Sequence, residues 1–266
     1  MSVTWLTAIG AAVYYGFGIV WPQAVATIYP GLSDSYRATL TGLVAMGFVF
    51  GQITGDLVAT VVGPKIPIIT CITIAGPILM ACAADPLNKP LTMGLLIVGC
   101  LFIGAMEGMA IATATFPLRS QEEIGTAGGL SGAVRIFGGC VAVAIYSTVL
   151  NNRLATTIPG RVIPAAIGAG LPESSIPALV AGLEGTTPIN VPSIPGLTDR
   201  ILDIASFAFR QAHADAYRTV FYTSFAFSGI GMILCWFVAQ NDSSTQDFVA
   251  SHIHKPAEEK ELEAQL

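Results

Sequence analysis

Charge is what this sequence has least of. Lys, Arg, Asp and Glu make up 11% of its 266 residues, under half the roughly 25% of a soluble domain. A soluble chain of this size needs a polar surface that such a composition cannot supply, so a soluble globular protein is excluded. The net charge of −5 excludes the basic footprint of a nucleic-acid binder. Much of that charge sits in Glu258, Glu259, Glu261 and Glu263, which read as a solvated acidic tail over 241–266. Histidine is scarce. His213, His252 and His254 fall outside the apolar stretches, in no metal-ligand pattern. The five cysteines, Cys71, Cys82, Cys100, Cys140 and Cys235, lie within apolar stretches at unrelated spacings, which excludes a disulfide framework or a zinc site. There is no phosphate-binding glycine loop and no nucleophile with its base, so the reading is of no enzyme, no cofactor and no metal. The opening Met1-Ser-Val-Thr lacks a basic n-region, which argues against a cleaved signal peptide despite Ala24-Val25-Ala26. Its abrupt apolar start reads as the remainder of a longer chain.

What is present is apolar length. Hydrophobic residues are 53% of the chain, gathered into six stretches at about 4–28, 39–62, 65–84, 91–117, 127–150 and 219–240. Each approaches the ~20 residues that cross a ~30 Å hydrocarbon core as a helix. The predicted fold is an all-α membrane protein of six transmembrane helices, five of them within 1–150. Pro22 bends the first. Gly47, Gly51 and Gly55 place a small-residue stripe on the second, for close helix approach. Gly63-Pro64-Lys65 is a tight turn to an antiparallel neighbour, and Gly104 and Gly108 repeat the four-residue spacing in the fourth stretch. Ser120 and Glu123 have capping-box spacing before the fifth. On that helix Gly128, Gly132, Arg135 and Gly139 share one face, so Gly128 and Gly132 are predicted to pack against a neighbour and Arg135 to point into an interface. The segment 151–218 carries seven prolines between Pro159 and Pro195 and is predicted to be a long loop with short surface helices. A helical pattern returns from Thr198 to about Tyr217, either lying at the interface or running into the last span.

Three ionisable residues fall inside the stretches: Asp56, Glu107 and Arg135. A charge near the bilayer centre costs at least ~2.5–3.5 kcal/mol, so each needs a partner, water or a function. Stretches one, two, four and five hold Gln23, Gln52, Asp56, Glu107 and Arg135, whereas three, past Lys65 at its very start, and six hold no charge. Four helices are thus expected to face a polar interior and two to face lipid. Glu107 reads either as a proton-coupling carboxylate or as a fixed ion pair with Arg135. Asp56, near the end of its stretch, reads as a gate or helix-end contact. Tyr14, Tyr15 and Trp21, with Gln23, read as walls of an organic-substrate cavity or as ordinary packing. Basic residues in the short loops tie, with Lys65 and Arg119 on one side and Arg37 and Lys89 on the other, so charge does not set the topology.

The run Glu122-Glu-Ile-Gly-Thr-Ala-Gly-Gly-Leu-Ser-Gly-Ala-Val-Arg135-Ile-Phe-Gly-Gly resembles the penultimate span of fungal 14-span major facilitator transporters, of the trichothecene efflux pump and siderophore-iron transporter type. Tyr14-Tyr-Gly-Phe-Gly-Ile-Val-Trp-Pro22-Gln and the Pro-rich segment before the last stretch fit the same group. The resemblance implies the C-terminal six-helix half of such a transporter, its first and fourth helices lining the cavity. The second and fifth would pack toward the other half, with the third and sixth facing lipid. It also implies an extracellular 151–218 segment, cytoplasmic termini and a plasma-membrane location. The family's loop motif after the second helix survives only as Gly63 and Lys65, which leaves Asp56 and Lys65 as the gate candidates. The implied partners are a small organic substrate such as a siderophore or toxin, protons, the lipid bilayer, and an N-terminal half or a second copy. The alternative is a non-transporting remnant or a regulatory membrane partner of a full-length transporter. Import and export stay equally open.

Overall fold

In the computed structural model the chain is described over residues 2–115, 121–185, 191 and 194–238. Ser120 of the expected capping box and the acidic tail 241–266 lie outside the described residues. Among those described, regular structure is helical: α1 (Ser2–Ile28), α2 (Asp34–Val62), α3 (Lys65–Ala81), α4 (Lys89–Thr115), α5 (Gln121–Gly168), α6 (Ile176–Leu183) and α7 (Asp199–Leu234). Five helices, all but α3 and α6, are long and apolar enough to cross a membrane. The third stretch was expected to reach residue 84. It leaves the helix after Ala81, where Cys82, Ala83 and Ala84 close turns onto Leu79, Met80 and Ala81. Its 17 residues rise about 26 Å, at the lower end of a spanning length.

The helix ends follow local chemistry. Ser33 caps α2, its Oγ accepting from the Tyr36 N–H at 3.3 Å. Gly63 closes α2 with φ 77°, a conformation other residues avoid, and donates its N–H to Ala59 O at 3.0 Å. Pro64 then starts the next helix. The Tyr29 hydroxyl donates to Pro86 O at 2.6 Å, tying the end of α1 to the α3–α4 turn.

The bundle is organised around α1, which packs against α2, α4, α5 and α7 and buries Leu6, Val13, Phe17 and Val25. The α2 helix lies mainly along α4, and α3 sits between α4 and α7. A second, smaller core extends the bundle at the end where α1 finishes. It is built from Ile158, Val162 and Ala166 of α5, Leu179 of α6, and Ile201, Ala205 and Ala208 of α7.

That second core explains the largest departure from expectation. The fifth helix does not stop near 150: α5 runs 48 residues, through Pro159 and Pro164, to Gly168. At about 72 Å it is more than twice the hydrocarbon thickness. Both prolines are exposed, as are Ala155 and Gly160, whose carbonyls the prolines leave unpaired. Water can therefore satisfy the broken bonds while the opposite face, at 158, 162 and 166, stays buried. The expected long loop contracts to the stretch around α6. The helical pattern from Thr198 belongs to α7, whose cap is the Thr198 hydroxyl accepting from Ile201 N–H at 3.3 Å.

Asp215 of α7 joins these parts. It accepts from Arg161 of α5 at 2.5 Å and from Arg218 at 3.1 Å, and Arg218 also donates to Ala84 O at 3.3 Å. Both arginines are substantially exposed, so Asp215→Ala is expected to cost only about 1 kcal/mol, read as a small drop in the thermal midpoint that high salt abolishes.

Candidate functional site

The site rests on the α2–α4 crossing, where glycines on both helices remove the side chains that would hold the backbones apart. A Cβ at Gly47 would lie 3.0 Å from Ile97 O, and one at Gly55 2.7 Å from the Ala105 Cα. Between them Gly51 meets Leu101 O, and in return Gly104 meets Phe48 O. The α1–α5 crossing is built the same way, but from Gly138 and Gly139. A Cβ at the first would sit 2.6 Å from Ala8 O and one at the second 2.5 Å from the Tyr15 ring. Gly128 and Gly132, the predicted packing residues, have no described atom within 4 Å. The contact of this helix with α1 falls at Gly138 and Gly139, and Gly128 and Gly132 lie outside it.

Close approach brings Glu107 of α4 into the centre, where it is fully buried. Gly10 of α1 leaves room for it, since a Cβ there would come within 2.9 Å of the Glu107 Cβ. Three hydrogen bonds serve the carboxylate. Arg135 of α5 donates from Nε to Oε1 at 2.8 Å and from a terminal nitrogen to Oε2 at 3.3 Å, and Gln52 Nε2 of α2 donates to Oε2 at 3.2 Å. The two-pronged pairing with Arg135 and the extra donor are what a buried carboxylate requires in order to stay charged. The Arg135 side chain keeps 25% of its surface exposed and lies 5.7 Å from the centroid of the Tyr15 ring. Glu107 thus links α1, α2, α4 and α5, and its partner Arg135 stays partly exposed.

The other candidates divide. Tyr15 lies beside the Arg135 guanidinium, and Gln23 is exposed eight residues further along α1. Trp21 does not join them. It is 3% exposed in the core and donates its indole N–H to Leu40 O at 3.3 Å, so it fastens α1 to α2. Tyr14 stacks on Phe48 with centroids 3.9 Å apart. Asp56 is exposed on α2, and neither it nor Lys65 forms an ion pair among the described residues. Gln52 was noted as a polar span residue but was not chosen as a site residue. Its signal was its place one turn before Asp56, on a helix otherwise given to apolar and small residues. No group of three or more metal-ligating side chains occurs among the described residues.

A buried acid held by an arginine between closely packed membrane-length helices calls for comparison with known proteins. The family model of the fungal trichothecene efflux pump (TRI12) matches residues 2–264. The chain belongs to the trichothecene efflux pump family. Its relatives include the MFS-type transporter prx5 of Penicillium rubens, 27% identical over 84% of this chain and 41% of that protein. The trichothecene efflux pump TRI12 of Fusarium sporotrichioides is 24% identical over 52% of this chain and 23% of that protein. Among solved structures, the bacterial homologue of the human lysosomal transporter Spinster, inward-facing and unoccupied, matches with a TM-score of 0.56. That match has 13% identity and covers 91% of this chain and 49% of the other. The likeness shows a major facilitator fold. This trichothecene efflux pump family member therefore spans less than half the length of the curated relatives it matches. It is an integral, multi-pass membrane protein of a transporter family, and not an enzyme. Membership favours the transporter reading over that of a non-transporting partner.

Proposed function

We propose that the chain is the C-terminal six-helix half of a proton-coupled efflux transporter for small organic molecules, with α3 as its shortest span. The observation that carries this is Glu107: fully buried, held by Arg135 and Gln52, with the arginine itself 25% exposed. A proton arriving on Glu107 would cancel the charge that fixes Arg135 and free the guanidinium to swing toward Tyr15 and its exposed side. Loss of the proton would draw it back. Such a two-position arginine on α5 would couple protonation to the side of the bundle that a substrate would meet.

The remainder of the transporter would cover the unpartnered side. Gly128 and Gly132 of α5 face open space, and Leu130, Ile136 and Phe137 are more than half exposed beside them. On α2, Met46, Phe50, Ile53 and Leu57 form a second bare apolar surface. An N-terminal half fits these faces better than a second copy, because the matched relatives are about twice this length or more. In this arrangement the termini are cytoplasmic, the α5–α6–α7 extension is extracellular and the membrane is the plasma membrane. The substrate class would be that of the TRI12 relative, a bulky toxin-like organic, or a siderophore.

The test is flux of rhodamine 6G from proteoliposomes holding the chain, alone and with a co-expressed N-terminal half, under an imposed proton gradient. Gradient-driven flux is expected with the pair, and Glu107→Gln should reduce it by about 100-fold, the scale of an essential proton-transfer group. Gradient-driven flux unchanged in Glu107→Gln would sink the proton assignment.

A further inference from the structure

Far from Glu107, the end of α1 meets the α5–α6–α7 extension around two adjoining cavities of about 460 and 430 Å³. Thr27, Leu183 and Phe209 line both, so the two share a wall and read as one bilobed recess. Gly10, which abuts Glu107, and Thr27 lie about 25 Å apart along α1. The recess is therefore separate from the buried ion pair.

Its chemistry is asymmetric. One lobe is walled by Leu154, Ile158, Leu183 and the Phe209 ring, and carries Glu184 and His213 as its ionisable groups. His213 is 6% exposed, and its Nδ1 lies 3.0 Å from Phe209 O. A carbonyl oxygen only accepts, so Nδ1 holds the hydrogen and Nε2 is left as an acceptor with no hydrogen bond to a described residue. The other lobe adds Asp203, Ser206 and Arg210. Neither Glu184 nor Asp203 forms an ion pair among the described residues. Arg210 lies over the Phe207 ring at 5.4 Å instead of pairing with Asp203. The recess thus combines an apolar aromatic wall with an imidazole acceptor and, in each lobe, an exposed carboxylate that has no ion pair among the described residues, a set that suits a hydrogen-bond-donating cation with an apolar body.

We propose that this recess is a second ligand site, which takes an amphipathic organic amine: the apolar body packs against Leu183 and Phe209, and the ammonium donates to Glu184 and to His213 Nε2. The cation lies within reach of the Phe209 ring face as well. This site stands whether or not Glu107 carries protons, since no residue is shared. On the transporter reading it lies on the exit side and would hold amine-bearing molecules as they leave or arrive.

The test uses the whole chain in phosphatidylcholine nanodiscs, titrated with dansylcadaverine, with anisotropy corrected for empty nanodiscs. Dansylamide, which has the same ring system but no alkylammonium arm, is the control. Saturable dansylcadaverine binding is expected, with dansylamide about tenfold weaker or more, as loss of one charge-assisted hydrogen bond implies. Glu184→Gln, at an exposed position, should weaken dansylcadaverine about tenfold and leave dansylamide unchanged. Leu183→Trp, which fills the shared wall, should weaken both. The proposal is overturned if dansylcadaverine does not bind saturably, if dansylamide binds as tightly, or if neither variant changes the affinity.

Discussion

Arg135→Ala is expected to destabilise the chain by about 3–5 kcal/mol, the cost of stripping one partner from a buried ion pair. Glu107 has no exposed surface, and two of its three hydrogen bonds come from this one guanidinium. Without it, Gln52 alone would have to solvate a carboxylate in the middle of the bundle. The opposite change should be milder. In Glu107→Gln the orphaned charge belongs to Arg135, which keeps 25% exposure and the Tyr15 ring as a neighbour. The double variant Glu107→Gln/Arg135→Gln leaves no buried charge and should regain much of the loss. Thermal unfolding of the detergent-solubilised chain, followed by tryptophan fluorescence, would rank the three variants. If Arg135→Ala melts with the wild type, the pair is not a buried charge pair.

Gly51→Val should do still more damage, leaving little monodisperse protein. Overpacking a core ordinarily costs about 1–3 kcal/mol because side chains shift to relieve it. Here the first obstacle is the Leu101 carbonyl oxygen on the α4 backbone, which cannot move unless α4 moves. Separating α4 from α2 would also open the contacts at Gly47, Gly55 and Gly104 and pull Gln52 away from Glu107. Gly42→Val is the matched control, since a Cβ there meets nothing within 4 Å. Size-exclusion profiles of the two variants, compared with the parent chain, should show a loss confined to Gly51. Equal recovery of both would mean that α2 and α4 are not in contact at this turn.

Much of this arrangement is legible in the residues. Glu107 and Arg135 stand out because charges in an apolar run demand partners, and each is the other's nearest remedy. The Gly47-Gly51-Gly55 stripe marks a close crossing because only glycine allows backbones to touch. Other features resist such reading. Trp21 carries the same amphipathic ring whether it borders a cavity or donates to Leu40 O inside the bundle. Gly128 and Gly132 share their face with Gly139, yet only Gly139 meets α1. Pro159 and Pro164 are helix breakers in isolation, and they are carried here because they fall on the wet side of a helix whose other side is buried.

Composition and apolar length are local properties, added up residue by residue along the chain. They settled that this is a helical membrane protein and which of its helices carry charge. Which turn of one helix meets which turn of another depends on residues dozens of positions apart filling the same space. That choice set the end of α5, the role of Gln52 and the recess beside His213, and it became visible only once the helices were packed together.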